Sequence, residues 1–140
     1  MDAAATMEKR PADSPLPVPR ARIGMIIPSV NSMTEPQFNR FAPPGLAVHV
    51  ARARVAGEWK RPLAAMADEI ATSAKLLADV APDLIVFHCT DTSMTQGPQG
   101  EGGILEIVQD ATGIEAVATS RLVLEALQAL GLRRLVLLSP

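Results

Sequence analysis

The sequence has 140 residues, of which 48% are apolar and 20% are charged. A chain of about this length buries roughly two-thirds of the surface that its unfolded form exposes, so a packed domain is expected and disorder is not. The net charge of −2 and an aromatic content of 3%, without tyrosine, supply neither the basic field nor the stacking surfaces of nucleic-acid-binding proteins.

The N-terminus and the single cysteine indicate the cellular compartment in which the protein is expected. One cysteine cannot form an intrachain disulfide, and the N-terminus lacks the apolar region of a signal peptide. No apolar run approaches the ~18–20 residues that span a bilayer. Residues 1–20 carry four prolines and mixed charge, which predicts a flexible leader before a domain over residues 21–140. We therefore expect a cytoplasmic protein without nucleic-acid or membrane partners.

The first half of the domain alternates strand and helix signals. "RIGMIIP" is a short apolar run typical of a strand that is buried on both faces. A short helix should follow, with Thr34 as candidate N-cap and Pro36 in its first turn. "GLAVHVARARV" alternates as a strand does, and the apolar stripe from Arg61 to Ala81 predicts a helix that Pro82 ends.

The second half continues this alternation. In chain order we predict a strand at 83–88, a loop at 89–97, a helix from about 102 to 112, a strand at 114–118, a helix from Thr119 or Ser120 closed by Gly131, and a final strand at 133–140. Short connections between doubly apolar strands require parallel pairing. The predicted fold class is therefore α/β, an open and mainly parallel sheet with helices on both faces.

Two loops are the candidate functional segments. Ligands of open parallel sheets bind beyond the carboxyl ends of the strands, and the segments 28–34 and 89–97 leave such ends with hydroxyls, an amide and a thiol. Two histidines and one cysteine offer no zinc-binding spacing, so no metal is expected. His88 and Cys89 are adjacent in a strand, so their side chains should face opposite ways, and His88 is most simply a packed histidine with a satisfied nitrogen.

Cys89 itself leaves two interpretations open. Free cysteine often serves as a small buried apolar side chain. Its position at a strand end, before a glycine-flanked helix start, instead suits a reactive thiol, because clustered backbone N–H groups stabilise anions. The segment 97–103 does not satisfy the dinucleotide-binding pattern G-x-G-x-x-G. Arg52 and Arg54 could pair with a dicarboxylate or could simply be exposed.

Three segments together carry a resemblance to a known superfamily. "RIGMIIPSVNSMTE", "DLIVFHCTDTSMTQG" and "ATGIEAVATSRLVLEALQALGLRRLVLLSP" resemble the aspartate/glutamate racemase superfamily, in particular the branch of maleate cis–trans isomerases and arylmalonate decarboxylases. The resemblance covers residues 22–140. It implies a flavodoxin-like half of a two-domain racemase-type fold, with the substrate between two similar halves.

The resemblance also implies roles for individual residues. Cys89 matches the cysteine of the N-terminal half, which in maleate isomerases adds to the double bond so that the resulting single bond can rotate. Asn31 matches an asparagine that holds a substrate carboxylate. The remaining loop positions that line the same pocket are Pro28, Ser29, Thr90 and Asp91. Arylmalonate decarboxylases carry glycine where Cys89 stands, so this cysteine favours the isomerase branch.

These implications lead to one main hypothesis and two alternatives. The first is a cofactor-independent, cysteine-dependent isomerase or racemase acting on a small dicarboxylate, expected to be a homo-oligomer. The others are an arylmalonate decarboxylase-like enzyme and a non-catalytic flavodoxin-like module that binds an anion or a partner protein. The chain ends at Pro140, about where the first half of the superfamily gives way to the second. We therefore expect a fragment, or a half-domain that pairs with another chain and is inactive when isolated.

Overall fold

Four strands alternate with helices along the chain in a computed structural model that describes residues 19–95 and 97–136. Besides a turn of 3₁₀-helix at Gly57–Trp59, the elements are β1 (Ala21–Pro28), α1 (Thr34–Phe41), β2 (Leu46–Ala53), α2 (Leu63–Ala78), β3 (Leu84–Phe87), α3 (Thr90–Thr95), α4 (Gly97–Thr112), β4 (Ala116–Ala118) and α5 (Thr119–Ala129).

The four strands form one parallel sheet in the order β2-β1-β3-β4. Met25 of β1 lies between Val50 of β2 and Val86 of β3, and the β1–β3 pairing runs on to a bond of 2.8 Å from the His88 N–H to the Ile26 carbonyl. The predicted α/β class with a parallel sheet is confirmed.

Helices cover both faces of the sheet because β1 is apolar on both sides. Met25 and Ile27 point to the side where Phe38 of α1 packs. Ile26 points to the other side, into a core that contains Met66 of α2 and Ile104 of α4. On that second side, a Cβ built on Gly24 would lie 3.3 Å from the Leu77 side chain, so α2 packs closely on β1.

The structure differs from the predicted elements after Cys89 in three places. The segment predicted as a loop over 89–97 contains the short helix α3, and α4 begins at Gly97 rather than near Gly102. The predicted strand at 133–140 is absent over residues 133–136, which have no regular secondary structure and pair with no described strand. Its remaining residues lie outside the described part of the chain.

The predicted leader lies outside the described residues up to position 18. Arg20, its last residue, is held in place, because its N–H donates to the Gly45 carbonyl at 2.7 Å and its guanidinium donates to the Pro44 carbonyl at 2.7 Å. Within residues 19–95 and 97–136, no helix combines the length and apolar character that crossing a membrane requires.

Candidate functional site at the β1–β3 strand ends

The strand order creates a crevice between β1 and β3. From β1 the chain moves outward to β2 and then returns across β1 to β3 and β4, so the connections after β1 and β3 leave on opposite faces of the sheet. Such a switch point at the carboxyl edge is where open α/β sheets bind ligands. The loop with Asn31 follows β1 and Cys89 follows β3, so the two sequence-predicted segments begin at the ends of neighbouring strands on the same edge of the sheet.

The β1–α1 loop is rigidly held, and Asn31 is part of what holds it. The Asn31 side-chain oxygen accepts hydrogen bonds from the backbone N–H groups of Met33 and Thr34, each at 3.0 Å. The N-cap position of α1 is thus Met33 rather than the predicted Thr34, and the Asn31 oxygen supplies the acceptor for the N–H groups at the helix start. Its side-chain N–H₂ group remains the part of the amide with which it could bind a carboxylate.

Arg52, which lies in β2, binds the same loop through its guanidinium. Its guanidinium donates to the carbonyls of Ser29 at 3.2 Å and Asn31 at 2.6 Å and forms an ion pair with Glu35 of α1. Ser29 donates its own N–H to the Ala53 carbonyl at 2.8 Å. These contacts occupy Arg52, so its guanidinium holds the β1–α1 loop in this geometry.

Cys89 lies immediately after β3 and is 6% exposed. It belongs to the apolar core on the α2–α4 side of the sheet. Its thiol donates to the Thr92 hydroxyl at 3.1 Å, and its carbonyl accepts from the Ser93 hydroxyl at 3.0 Å and from the Ser93 N–H at 3.1 Å. The thiol is thus fixed in direction at the sheet edge, with little of its surface open to solvent.

Thr90 and Asp91 occupy the first turn of α3. Thr90 is exposed, and the Asp91 side chain is 58% exposed. Lys60, from the segment between β2 and α2, approaches both carboxylate oxygens of Asp91 at 3.0 Å and the Thr95 hydroxyl at 3.1 Å. This pair neutralises the Asp91 charge next to the turn that carries Cys89.

The segment between β2 and α2 that supplies Lys60 is itself anchored by Glu69. The Glu69 carboxylate accepts the Arg54 backbone N–H at 2.7 Å and the Arg61 guanidinium at 2.7 Å. The Arg54 N–H and then the Arg61 charge hold the pKa of Glu69 below its ordinary value, although partial burial opposes them. The Arg54 guanidinium stacks over the Trp59 ring, with 4.5 Å between its central carbon and the ring centroid.

His88 points to the opposite face from Cys89, as the strand alternation predicts. Its Nδ1 lies 2.8 Å from the Thr119 hydroxyl at the start of α5, and burial lowers its pKa below the ordinary value. His88 shares a surface cleft of about 480 Å³ with Thr34 and Phe38 of α1. Cys89 is not among the residues that line this cleft. The imidazole therefore stands on the wrong side of the sheet to act as a base towards the thiol.

The contacts of three side chains at this edge were not predicted from the sequence. These side chains are Thr92, which binds the thiol; Lys60, which pairs with Asp91; and Thr119, which binds His88. Only Thr92 had a usable signal, because it lies three residues after Cys89 and one helical turn brings such residues together. The other two contacts join segments that are distant in sequence. Among the described residues, no group of three or more His, Cys, Asp and Glu side chains is arranged to hold a metal ion.

No protein-family model matches the chain, and the curated proteins include no significant match. Solved structures do match it. The Gly74Cys mutant of arylmalonate decarboxylase, in its sulfate-associated form, aligns with a TM-score of 0.68 and 24% identity over 81% of this chain and 48% of that one.

Two maleate isomerases align similarly. The Nocardia farcinica maleate cis–trans isomerase bound to TRIS has a TM-score of 0.62 and 26% identity over 79% of this chain and 49% of that one. The Iso(C200A) maleate isomerase of Pseudomonas putida S16, with maleate, has a TM-score of 0.62 and 23% identity over 79% and 49%. The chain thus spans about half the length of these structures, and its α/β fold is that of about half of an arylmalonate decarboxylase or a maleate isomerase.

Proposed function

We propose that the chain belongs to the aspartate/glutamate racemase superfamily and provides part of a cofactor-independent isomerase that acts on a small dicarboxylate such as maleate. The observation that carries this proposal is the position of Cys89. Its thiol directly follows β3 at the crevice where the Asn31 loop leaves β1, in a fold that is similar to maleate isomerases.

The chemistry proposed for Cys89 is reversible addition to the alkene. The sulfur, as thiolate, forms a bond to one alkene carbon, and the π electrons move onto the neighbouring carbon, where the adjacent carboxylate delocalises them. The former double bond can then rotate, after which the C–S bond breaks, the double bond reforms in the trans configuration and the thiolate returns. A Nocardia farcinica maleate isomerase C194S mutant carries a covalently bound succinylcysteine intermediate, which supports an addition of this kind.

Substrate binding is proposed to use the two loops at the crevice. The Asn31 side-chain N–H₂ group would donate to one carboxylate, since the amide oxygen already caps α1. Pro28, Ser29 and Thr90 would line the pocket with it. Asp91 could line it as well, because Lys60 offsets the charge that would otherwise repel a dicarboxylate. A homo-oligomer remains our proposal for the assembly.

The non-catalytic module remains the second candidate because one observation favours it. Cys89 is only 6% exposed and packs against the apolar core, as an inert structural cysteine does. The arylmalonate decarboxylase alternative is supported by the structural match and opposed by the presence of a cysteine at position 89.

The experiment that tests the proposal incubates the chain with maleate. Intact-mass spectrometry should detect an adduct of one maleate per chain, a result that does not require the isolated half to complete a turnover. The adduct should disappear in Cys89→Ser, whereas Ser93→Ala, which alters a hydroxyl bound to the Cys89 carbonyl rather than to its sulfur, should keep it. Because the chain holds one cysteine, the modified sulfur is unambiguous.

Three outcomes would contradict the isomerase. Release of CO₂ from an arylmalonate without any maleate adduct would favour the decarboxylase. A thiol that resists both iodoacetamide and maleate in the folded chain would favour the inert module. An adduct that persists in Cys89→Ser would remove Cys89 from the chemistry.

A further inference from the structure

Thr92 joins the Cys89 thiol to a backbone carbonyl in the segment between β2 and α2. The Cys89 sulfur lies 3.1 Å from the Thr92 hydroxyl oxygen, and that oxygen lies 2.7 Å from the Val55 carbonyl oxygen. Thr92 and Val55 are both 0% exposed. These three residues form a hydrogen-bonded chain that is closed to solvent along most of its length.

The donor and acceptor of each of these two hydrogen bonds follow from the number of protons available. A hydroxyl donates one hydrogen bond, and a carbonyl only accepts. Among the described residues, Thr92 is the one donor to the Val55 carbonyl. Leaving a buried carbonyl without a donor is costly, so the Thr92 hydroxyl keeps its hydrogen bond to the Val55 carbonyl. Its oxygen is then left only as an acceptor, and what it accepts is the thiol proton of Cys89.

The Val55 carbonyl cannot easily move to release the hydroxyl. Its neighbour Arg54 is bound through its N–H to Glu69 of α2, and Lys60 ties the same segment to Asp91 of α3. The carbonyl is therefore held between two helices. For the Thr92 hydroxyl to turn towards sulfur, the 2.7 Å bond to Val55 would have to break.

The charged groups around the thiol are paired or turned away. Lys60 and Asp91 neutralise one another, and Glu69 of α2 is bound by Arg61. His88 lies on the other face of the sheet. The elements that pack directly against Cys89 contribute apolar side chains to its core cluster. The hydrogen bond to Thr92 is therefore the dominant polar contact of the sulfur.

We infer that Thr92 is a positioning residue that fixes the direction of the Cys89 thiol, with its proton directed at the Thr92 oxygen, and thereby restrains the reaction of the sulfur. Its catalytic meaning rests on the proposed function, since a nucleophilic Cys89 would have to give up this bond before attack. The net strength of one hydrogen bond corresponds to roughly a 3- to 10-fold slower reaction than without it.

The test follows the rate of Cys89 alkylation by iodoacetamide at neutral pH. Thr92→Val removes the hydroxyl at nearly constant volume, and its thiol should react roughly 3- to 10-fold faster than that of the unaltered chain. Thr92→Ser keeps a hydroxyl and should restore the original rate. Ser93→Ala is the matched control, because it removes another buried hydroxyl of α3 that binds the Cys89 carbonyl and not the sulfur.

An unchanged alkylation rate in Thr92→Val would overturn the inference, and a slower rate would overturn it as well, because it would show that the hydroxyl assists the sulfur. If Thr92→Val does not fold, the S–H stretching band of the unaltered chain decides. The single cysteine gives one band, which should lie at lower frequency in the folded chain than in urea. A band that does not move on unfolding would also overturn the inference.

The two proposals fail separately in these experiments. If maleate forms no adduct but the alkylation rates differ as described, the proposed isomerase is wrong and the role of Thr92 stands. If the adduct forms but Thr92→Val reacts like the unaltered chain, the isomerase stands and Thr92 has no such role.

Discussion

Replacing Asn31 by alanine should destabilise the chain through the start of α1. The substitution removes the oxygen that accepts from the N–H groups of Met33 and Thr34, each at 3.0 Å. Met33 is 59% exposed, so water can replace its lost partner, whereas Thr34 is 3% exposed and its N–H is less easily hydrated. Loss of such a cap costs about 1 kcal/mol, within a range of roughly 0.5–2 kcal/mol.

Asn31→Asp separates this capping role from the proposed substrate contact. The carboxylate keeps an acceptor at the same place and adds a negative charge at the N-terminus of α1, which is favourable by about 0.3–1 kcal/mol. We therefore expect the free energy of unfolding to be unchanged or slightly raised. The same charge would repel a substrate carboxylate, so the rate of maleate adduct formation at Cys89 should fall at least tenfold.

Both quantities can be measured on the same samples. Urea unfolding is followed by the fluorescence of Trp59, the single tryptophan, and adduct formation is followed by intact-mass spectrometry. Equal stability of Asn31→Ala and the unaltered chain would refute the capping argument. Undiminished adduct formation in Asn31→Asp would refute the placement of a substrate carboxylate at this amide, whatever the stability shows.

The remaining predictions concern stability. Burial lowers the pKa of His88, so stability should be complete above about pH 6.5 and fall as the pH drops below it, and His88→Asn should flatten this fall in urea unfolding. The pKa of Glu69 is lowered chiefly by the Arg54 N–H, so its contribution should be lost as the pH falls below 4.5, and Glu69→Gln should lack this loss. Gly102→Ala in α4 meets no atom within 4 Å and should stabilise by about 0.5–1 kcal/mol. Gly103→Ala would place its Cβ 3.0 Å from the first side chain of α2, so it should gain less than Gly102→Ala, and equal gains would refute this packing.

The sequence located the candidate site better than it located the neighbours of the thiol. Cys89 and Asn31 could be assigned to strand ends because apolar runs end just before them, and parallel strands end at one edge. The partners of the thiol could not be assigned in the same way. Val55 reaches Thr92 from a segment 37 residues away in sequence, and only the return of the chain from β2 to β3 brings the two together.

The segment after Cys89 shows where local propensity misleads. Its glycines and its proline favour a loop over a helix. In the fold, Pro98 fits the first turn of α4, where no N–H partner is needed. Gly103 lets α4 approach Leu63 of α2 so closely that an added Cβ would lie 3.0 Å from that side chain. Gly103 therefore serves close helix packing, which a pattern of single residues does not reveal, whereas a Cβ added at Gly102 would have no neighbour within 4 Å.

By itself, the sequence determined the alternation of strands and helices, the parallel sheet and the strand that presents Cys89, because apolar periodicity and short connections leave few other arrangements. The tertiary structure decided the strand order β2-β1-β3-β4, and with it the position of the Asn31 loop and Cys89 at the ends of neighbouring strands. It also decided that the thiol proton is directed at Thr92 and that His88 faces the opposite side. Such contacts depend on which distant segments the packing of the core brings together.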